Sequence, residues 1–304
     1  MDMSQSDGIS RSFPGDFFSR SGVERLCREA EIVPSKALGQ NFLYQRSALD
    51  AMVRDLEMPF ESQIIEVGCG FGHLTVPILE HGYSVLAFET DKRLLKWLSG
   101  CVGERLQIQV CDILTYDLTP CFESTSEVCV VGNLPYSSAS SILFHLMKWY
   151  VSVAKWGFLL QREVGQRIQA KPGSSDYGRL SVILQYLFDI QLLRRIGPGC
   201  FYPRPKVESV WMRFVPRKGA DLDMDLVWNW MEPLVKTAFA HRRKKLCSNL
   251  SEQRIGLWDL TKEQAVNYLK ILDLNPNCRA QDLTPDQYAC LAELIWSSGV
   301  KIRS

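Results

Sequence analysis

The segment Asn133-Leu134-Pro135-Tyr136 gathers a side-chain amide, a rigid turn and an aromatic ring around one point. It follows an apolar run, Val128-Cys129-Val130-Val131, that reads as a strand. The amide oxygen of Asn133 and a nearby backbone carbonyl are able to accept both hydrogens of an exocyclic amine. Pro135 fixes its own backbone and restricts Leu134. Tyr136 offers a planar ring a face to stack on. This set suits the amino group of a nucleobase or an amide better than it suits acid–base chemistry. The plainer account, a polar turn at a strand end, loses ground to the residues upstream.

Those residues read Gln63-Ile64-Ile65-Glu66-Val67-Gly68-Cys69-Gly70-Phe71-Gly72-His73-Leu74-Thr75. A β-branched run enters a glycine-dense turn and a helical pattern leaves it. Glycine permits positive φ and close approach of a ligand. The spacing is G-x-G-x-G, with His73 where the dinucleotide fingerprint has its third glycine. Carboxylates finish the neighbouring strands. Glu66 ends the first. Glu89 follows Ser84-Val85-Leu86-Ala87-Phe88, close to the roughly twenty-residue offset of a ribose-binding acid. Asp112 follows Leu106-Gln107-Ile108-Gln109-Val110. Three parallel strands thus bring Glu66, Glu89 and Asp112 to the carboxyl edge of one sheet, where open α/β sheets bind ligands. The glycine turn, through Gly68 and Gly70, passes close to the ligand; Glu89 suits ribose hydroxyls and Asp112 an adenine amino group. A ligand with ribose, adenine and a cationic centre fits. A pyrophosphate fits less well, because acids ring the site and no P-loop lysine follows the glycines.

Several further stretches carry a family resemblance. They are Lys36-Ala37-Leu38-Gly39-Gln40-Asn41-Phe42-Leu43, Gln161-Arg162-Glu163-Val164, Tyr177-Gly178-Arg179-Leu180-Ser181-Val182, Phe201-Tyr202-Pro203-Arg204-Pro205-Lys206-Val207-Glu208-Ser209 and Phe239-Ala240-His241-Arg242-Arg243-Lys244. With the glycine loop and Asn133–Tyr136 they span roughly residues 31–295. Together they resemble the ribosomal small-subunit RNA adenine dimethyltransferases, class I S-adenosylmethionine enzymes. The resemblance implies an α/β fold, a Rossmann-like class I methyltransferase sheet with a smaller C-terminal helical domain. It implies that Gln40, Asn41 and Leu43 close over the cofactor beside Gly68, that Glu89 takes the ribose and that Asp112 and Ile113 take the adenine. It places Asn133 between cofactor and target base, with Tyr136 and Phe201 sandwiching a flipped adenine. Cys69 stands where proline is frequent in the family, and Ser137-Ser138-Ala139-Ser140-Ser141 replaces the commoner run after the tyrosine. Neither removes a group that the chemistry requires.

At 304 residues, 46% apolar and 23% charged, the chain has the composition of a soluble globular protein of two domains. No stretch approaches the roughly 20 apolar residues of a membrane span, and the N-terminus has no secretory apolar region. Ten cysteines without C-x-x-C spacing read as reduced, mostly buried thiols of a cytoplasmic protein. Four histidines without metal-ligand spacing argue against a metal site. Residues 1–22 read as a mobile tail, residues 23–216 as the methyltransferase domain and residues 217–304 as a helical RNA-binding domain. Val23–Ala30 reads as a short helix. Arg217–Asp221 reads as a linker, and helix starts are marked at Thr261 with Gln264 and at Thr284-Pro285. Pro77 falls in the helix after the glycine loop and belongs in its first turn.

Net charge is only +1, so the distribution says more than the total. His241-Arg242-Arg243-Lys244-Lys245 is a basic run on an expected helix, and Arg194, Arg195, Arg204, Lys206, Arg213, Arg217 and Lys218 cluster near the domain junction. Phosphate contact is the functional reading, with Arg204, Lys206, Arg242, Arg243 and Lys244 foremost; a solvated face is the alternative. The two prolines around Tyr202-Pro203-Arg204-Pro205 stiffen a loop able to hold Phe201 opposite Tyr136 as a clamp for an extruded base. The alternative for Phe201 is a core-facing aromatic. A monomer acting on small-subunit ribosomal RNA, or on an assembling small subunit, is expected from the resemblance, as are two adjacent target adenosines in a 3′-terminal hairpin. Three other readings stay open: a large-subunit RNA adenine methyltransferase, a non-catalytic nucleic-acid-binding relative and a dinucleotide oxidoreductase.

Overall fold

The computed structural model describes residues 13–34, 39–59, 62–98, 104–123, 127–217, 223–252 and 258–300. Residues 1–12 of the expected tail, Lys36–Leu38 and Lys218–Asp221 lie outside the described residues. The strands are β1 (Phe42–Leu43), β2 (Gln63–Val67), β3 (Ser84–Glu89), β4 (Leu106–Val110), β5 (Val128–Asn133), β6 (Lys155–Gln161), β7 (Phe188–Ile196), β8 (Phe201–Tyr202) and β9 (Ser209–Pro216). The α-helices are α1 (Arg20–Glu29), α2 (Arg46–Asp55), α3 (Thr75–Glu80), α4 (Lys92–Leu98), α5 (Ala139–Leu146), α6 (Arg162–Ile168), α7 (Arg179–Leu187), α8 (Met224–Leu226), α9 (Glu232–Ala238), α10 (Leu246–Leu250), α11 (Lys262–Ile271) and α12 (Pro285–Ser297).

Seven strands form one sheet in the order β4-β3-β2-β5-β6-β9-β7. The β4-β3, β3-β2, β2-β5 and β5-β6 pairs are parallel, and β6 pairs with β9 antiparallel. The inner strands are near-continuous apolar runs because helices cover both faces of a parallel sheet. Ile64, Ile65, Cys129, Val130 and Val131 are at most 1% exposed. From β2 the chain winds outward through β3 and β4, then returns to β5 on the other side of β2. That reversal makes the carboxyl ends of β2 and β5 a topological switch point, where such sheets open a ligand crevice.

The chain divides into two compact units, residues 1–165 with 190–216, and residues 166–189 with 217–304. Residues 166–189, read from sequence as part of the first domain, group with the C-terminal helices. Their α7 makes its helix contacts with α9 and α12. In the second unit Leu234, Ala238, Leu269, Leu291 and Ile295 are at most 1% exposed. Thr261 with Gln264, and Thr284 with Gln287, each form a reciprocal cap that satisfies otherwise orphaned N–H groups. Pro77 is the third residue of α3, where a missing N–H costs no helix bond.

The tail expectation fails for residues 13–22. Phe17 is 1% exposed and α1 begins at Arg20, capped by the Ser19 hydroxyl, which accepts from Gly22 N at 3.1 Å. Apolar residues at helical spacing on α1 (Val23, Leu26, Cys27) bury its inner face. Three phenylalanines, Phe13, Phe17 and Phe18, in an otherwise Ser-, Gly- and Asp-rich stretch were the available signal.

Candidate functional site

A cleft of about 310 Å³ opens at the carboxyl ends of β2, β3, β4 and β5. Gln40, Asn41, Leu43, Glu66, Gly68, Gly70, Glu89, Asp112, Ile113, Asn133 and Pro135 all line it. Residues that are distant in sequence meet there because parallel strands end at one edge.

The glycine loop leaves β2 with positive φ at Gly68 (75°), Gly70 (56°) and Gly72 (91°), the left-handed region that suits glycine. A Cβ placed on Gly68 would meet nothing within 4 Å, so the backbone there faces open space in the cleft wall. Gly68 N donates to the Phe88 carbonyl at 2.8 Å, tying the loop to the end of β3. Glu89 then locks it from the side. Its Oε2 accepts from Gly70 N at 2.9 Å, and its Oε1 accepts from Thr90 N at 2.8 Å and Asp91 N at 3.0 Å. The Thr90 hydroxyl adds a longer bond to Oε1 at 3.4 Å, so Oε1 is filled, whereas Oε2 has one donor and keeps a lone pair for a hydroxyl donor. Asp112 also serves the backbone, its Oδ1 accepting from Leu114 N at 3.0 Å.

Glu66 is 1% exposed and its Oε2 accepts from the Thr75 hydroxyl at 2.6 Å. Burial pushes its carboxyl up to about 7; the Thr75 bond opposes the rise, and the neighbouring Glu89 adds to it. Asp91 is held below the usual carboxylate range, foremost by the Arg93 guanidinium and also by a hydrogen bond from Gln40. Gln40 is thereby pinned to the β3 side of the cleft, a link between side chains that no local motif announces.

Asn133 is the last residue of β5. Its Nδ2 donates to the Asn41 carbonyl at 2.8 Å. A backbone carbonyl only accepts, so this contact fixes the amide with nitrogen toward Asn41 and leaves the oxygen as the other end. The segment 39–43 crosses over the Pro135-Tyr136 turn so closely that a Cβ on Gly39 would lie 2.8 Å from Tyr136 N. Gly39 has a φ of +63°. Glycine at that point of Gly39-Gln40-Asn41-Phe42-Leu43 is a steric requirement, not only a family mark. The other end of the crossing segment is held by β1, which pairs antiparallel with β8 (Phe42 opposite Tyr202, Leu43 opposite Phe201).

That pairing corrects the expected clamp. Phe201 is 2% exposed and packs in the core cluster that holds Leu43 and Trp211. Side chains alternate along a strand, so Phe42 and Tyr202 fall on the opposite side, in the cluster around Phe71. Phe201 is therefore a core-facing aromatic and is not offered to a base. Tyr136 also lies outside the cleft lining. It is half-buried, its hydroxyl within 3.0 Å of the Ser209 hydroxyl, and burial raises its pKa.

The expected phosphate ligands separate. Arg204 and Lys206 are exposed. Arg194 pairs with Asp55, Arg213 with Glu57 and Arg217 with Asp189, so these three serve internal ion pairs. The run 241–245 is not helical; it forms the turn between α9 and α10. The buried Asn249 holds that turn, its Nδ2 donating to the Ala238 carbonyl at 2.6 Å and the His241 carbonyl at 3.1 Å. Arg243 is exposed, Arg242 lies over the Phe239 ring at 5.8 Å, and Lys244 donates to Glu252 at 2.8 Å. Among the described residues the nine cysteines are free thiols, no cluster of three metal-ligating residues occurs, and no helix is long and apolar enough to cross a membrane.

Comparison with known proteins places this architecture. Ribosomal RNA small subunit methyltransferase A of Nitrosospira multiformis is 36% identical over 259 residues, covering 85% of this chain and 95% of that protein. Its counterpart from Saccharophagus degradans is 34% identical over 263 residues, 86% and 94% of the two chains. Among solved structures, a dimethyladenosine transferase from Plasmodium falciparum shares the fold with a TM-score of 0.69 at 18% identity, covering 84% of this chain and 98% of that one. The 23S rRNA methyltransferase ErmE gives a TM-score of 0.59 at 22% identity, over 83% and 98% of the chains. The sheet is thus that of the class I methyltransferases. The family model described as ribosomal RNA adenine dimethylase matches residues 34–296, and the chain belongs to that family.

Proposed function

We propose that the protein transfers methyl groups from S-adenosylmethionine to N6 of two adjacent adenosines in the 3′-terminal hairpin of small-subunit ribosomal RNA, yielding N6,N6-dimethyladenosine during assembly of the subunit in the cytoplasm. The observation that carries this reading is the fixed Asn133 amide. Its nitrogen is committed to Asn41, and Asn133 lines the same cleft as Pro135, Glu66, Glu89 and Asp112.

The cleft suits the cofactor on its own chemistry. Glu89 accepts from ribose hydroxyls, Asp112 and Ile113 take the adenine edge, and the open backbone at Gly68 admits close approach. Gln40, Asn41 and Leu43 cover it. When bound, S-adenosylmethionine supplies a methyl on a sulfonium whose leaving group is a neutral thioether, so the site needs no strong base. The chain has to improve a poor nucleophile, since the N6 lone pair is delocalised into the adenine ring. The Asn133 oxygen and the backbone carbonyl of Leu134 accept the N6 hydrogens and favour a pyramidal nitrogen; the Pro135 carbonyl already accepts from Ser138 N at 3.1 Å and Ala139 N at 2.9 Å, so Pro135 serves by shaping the turn. Positioning and electrostatics account for most of the rate. One N6 proton passes to solvent for each methyl added. Tyr136 stacks on the base, and Arg204, Lys206, Arg242, Arg243 and Lys244 contact phosphates. The protein acts as a monomer.

Calorimetric titration with S-adenosylmethionine and with a nicotinamide dinucleotide, followed by methyl transfer to small and to large ribosomal subunits, tests this reading. Binding of the sulfonium alone, with label entering the small subunit alone, is expected. Label in the large subunit, or preference for the dinucleotide, would overturn it.

A further inference from the structure

Residues 13–33 precede the family match, which begins at residue 34, yet they are built into the back of the cleft. Phe17, Val23, Leu26, Cys27, Ala30 and Ile32 form one buried cluster with Phe42, Phe71, Val76 and Leu94. Phe42, Phe71 and Leu94 also line the cleft. One wall therefore has the ligand space on one side and the N-terminal segment on the other.

The join is made at His73, a buried cleft-lining residue that methyl transfer does not use. Its ring lies on that of Phe17 with centroids 4.4 Å apart and planes 10° from parallel. Its Nε2 is 3.0 Å from the Phe17 carbonyl oxygen. The carbonyl only accepts, so Nε2 carries the proton. His73 directly follows Gly72, whose N–H donates to the Cys69 carbonyl at 2.9 Å and whose carbonyl accepts from Val76 N at 2.9 Å. A residue clamped at this point holds the end of the glycine loop and the start of α3 together.

We propose that residues 13–33 form the outer wall of the cofactor cleft and that the Phe17–His73 pair is a positioning contact that keeps the glycine loop in its ligand-binding shape. The proposal rests on the reading of the cleft as an S-adenosylmethionine site. Phe17 touches no ligand; it acts through His73. Phe17→Ala removes the ring and keeps the carbonyl, whereas His73→Phe keeps a ring and removes the donor.

The test is a double-mutant cycle in the full-length protein, with Phe17→Ala, His73→Phe and both together titrated with S-adenosylmethionine. Each single substitution is expected to raise Kd about tenfold, the size of an aromatic pair or a buried hydrogen bond. The double variant should bind no worse than about the weaker-binding single, because losing either the stacking or the hydrogen bond already frees the end of the glycine loop that the two hold jointly. Turnover of Phe17→Ala at saturating cofactor should stay within about twofold. Phe17→Leu, which keeps apolar bulk, gives the same comparison should Phe17→Ala fail to fold. A lowered Tm with unchanged Kd would make the contact merely structural and overturn the proposal, as would effects that multiply in the double variant. A wild-type protein that binds no S-adenosylmethionine would instead remove the cofactor reading itself, and this proposal with it.

Discussion

Replacing Glu66 by Gln should change how stability depends on pH. Burial at the end of β2 moves the Glu66 carboxyl from 4.5 to about 7. Between those values the folded protein keeps a proton that the unfolded chain has lost. The resulting stability is full below about pH 4.5 and is lost as pH rises through about 7. A displacement of that size corresponds to about 3 kcal/mol. The amide introduced by Glu66→Gln does not titrate and has no such proton to lose. The stability of wild type minus that of Glu66→Gln should therefore shrink by about 2–3 kcal/mol between about pH 5 and pH 8. His73 runs the other way. Burial lowers it from 6.5 to about 4, so its contribution is full above about 6.5 and is lost as pH falls toward 4. The two groups flatten the wild-type profile between them, and only the difference between the proteins isolates Glu66. Urea unfolding of both proteins across that range measures it. A difference that stays constant within about 0.5 kcal/mol would refute the account of Glu66 as a carboxyl held protonated by burial.

Other perturbations probe separate contacts. Gly39→Ala puts a Cβ 2.8 Å from Tyr136 N at a φ of +63°, so thermal unfolding should show a loss of about 1–3 kcal/mol; a wild-type Tm would contradict the crossing geometry. Tyr136→Phe removes only the contact with Ser209 and should leave methyl transfer within about threefold of wild type. Tyr136→Ala should slow it by tenfold or more through lost stacking, about 1–3 kcal/mol, and equal rates for the two variants would exclude a stacking role. Asn249→Ala leaves the Ala238 and His241 carbonyls without their buried donor; denaturant unfolding should show a loss of about 2–3 kcal/mol, and no loss would mean the basic turn is held otherwise. Arg243→Ala should lower the slope of log affinity for RNA against log salt by about 1, whereas an unchanged slope would remove Arg243 from the phosphate contacts.

Much of the cleft was legible because its chemistry sits at strand ends. Apolar runs ending in Glu66, Glu89 and Asp112 announce parallel strands, and parallel strands finish at one edge. Asn133 was legible for the same reason. What the pattern could not carry was pairing between distant short segments. The two-residue strands β1 and β8 have no periodicity to read, and their register decides that Phe201 turns inward. The run 241–245 has helix-compatible residues, and its turn conformation depends on Asn249, eight residues from His241. Arg194, Arg213 and Arg217 looked available for phosphate because their acidic partners lie far along the chain or outside any motif. The N-terminal wall was missed because its polar composition masked three phenylalanines, one of them completing a contact with His73 some fifty-six residues away.

The most direct measurement is mass spectrometry of adenosine from small ribosomal subunits lacking the modification, after incubation with S-adenosylmethionine and either wild-type protein or Asn133→Ala. The account predicts N6,N6-dimethyladenosine at adjacent positions of the 3′-terminal hairpin with wild type. It predicts a rate at least a hundredfold lower with Asn133→Ala, roughly the value of a lost electrostatic donor or acceptor at a reacting centre, while cofactor affinity stays within a few-fold. Turnover by Asn133→Ala within a few-fold of wild type would contradict the role given to the fixed amide. Absence of any product with wild type would contradict the proposed reaction.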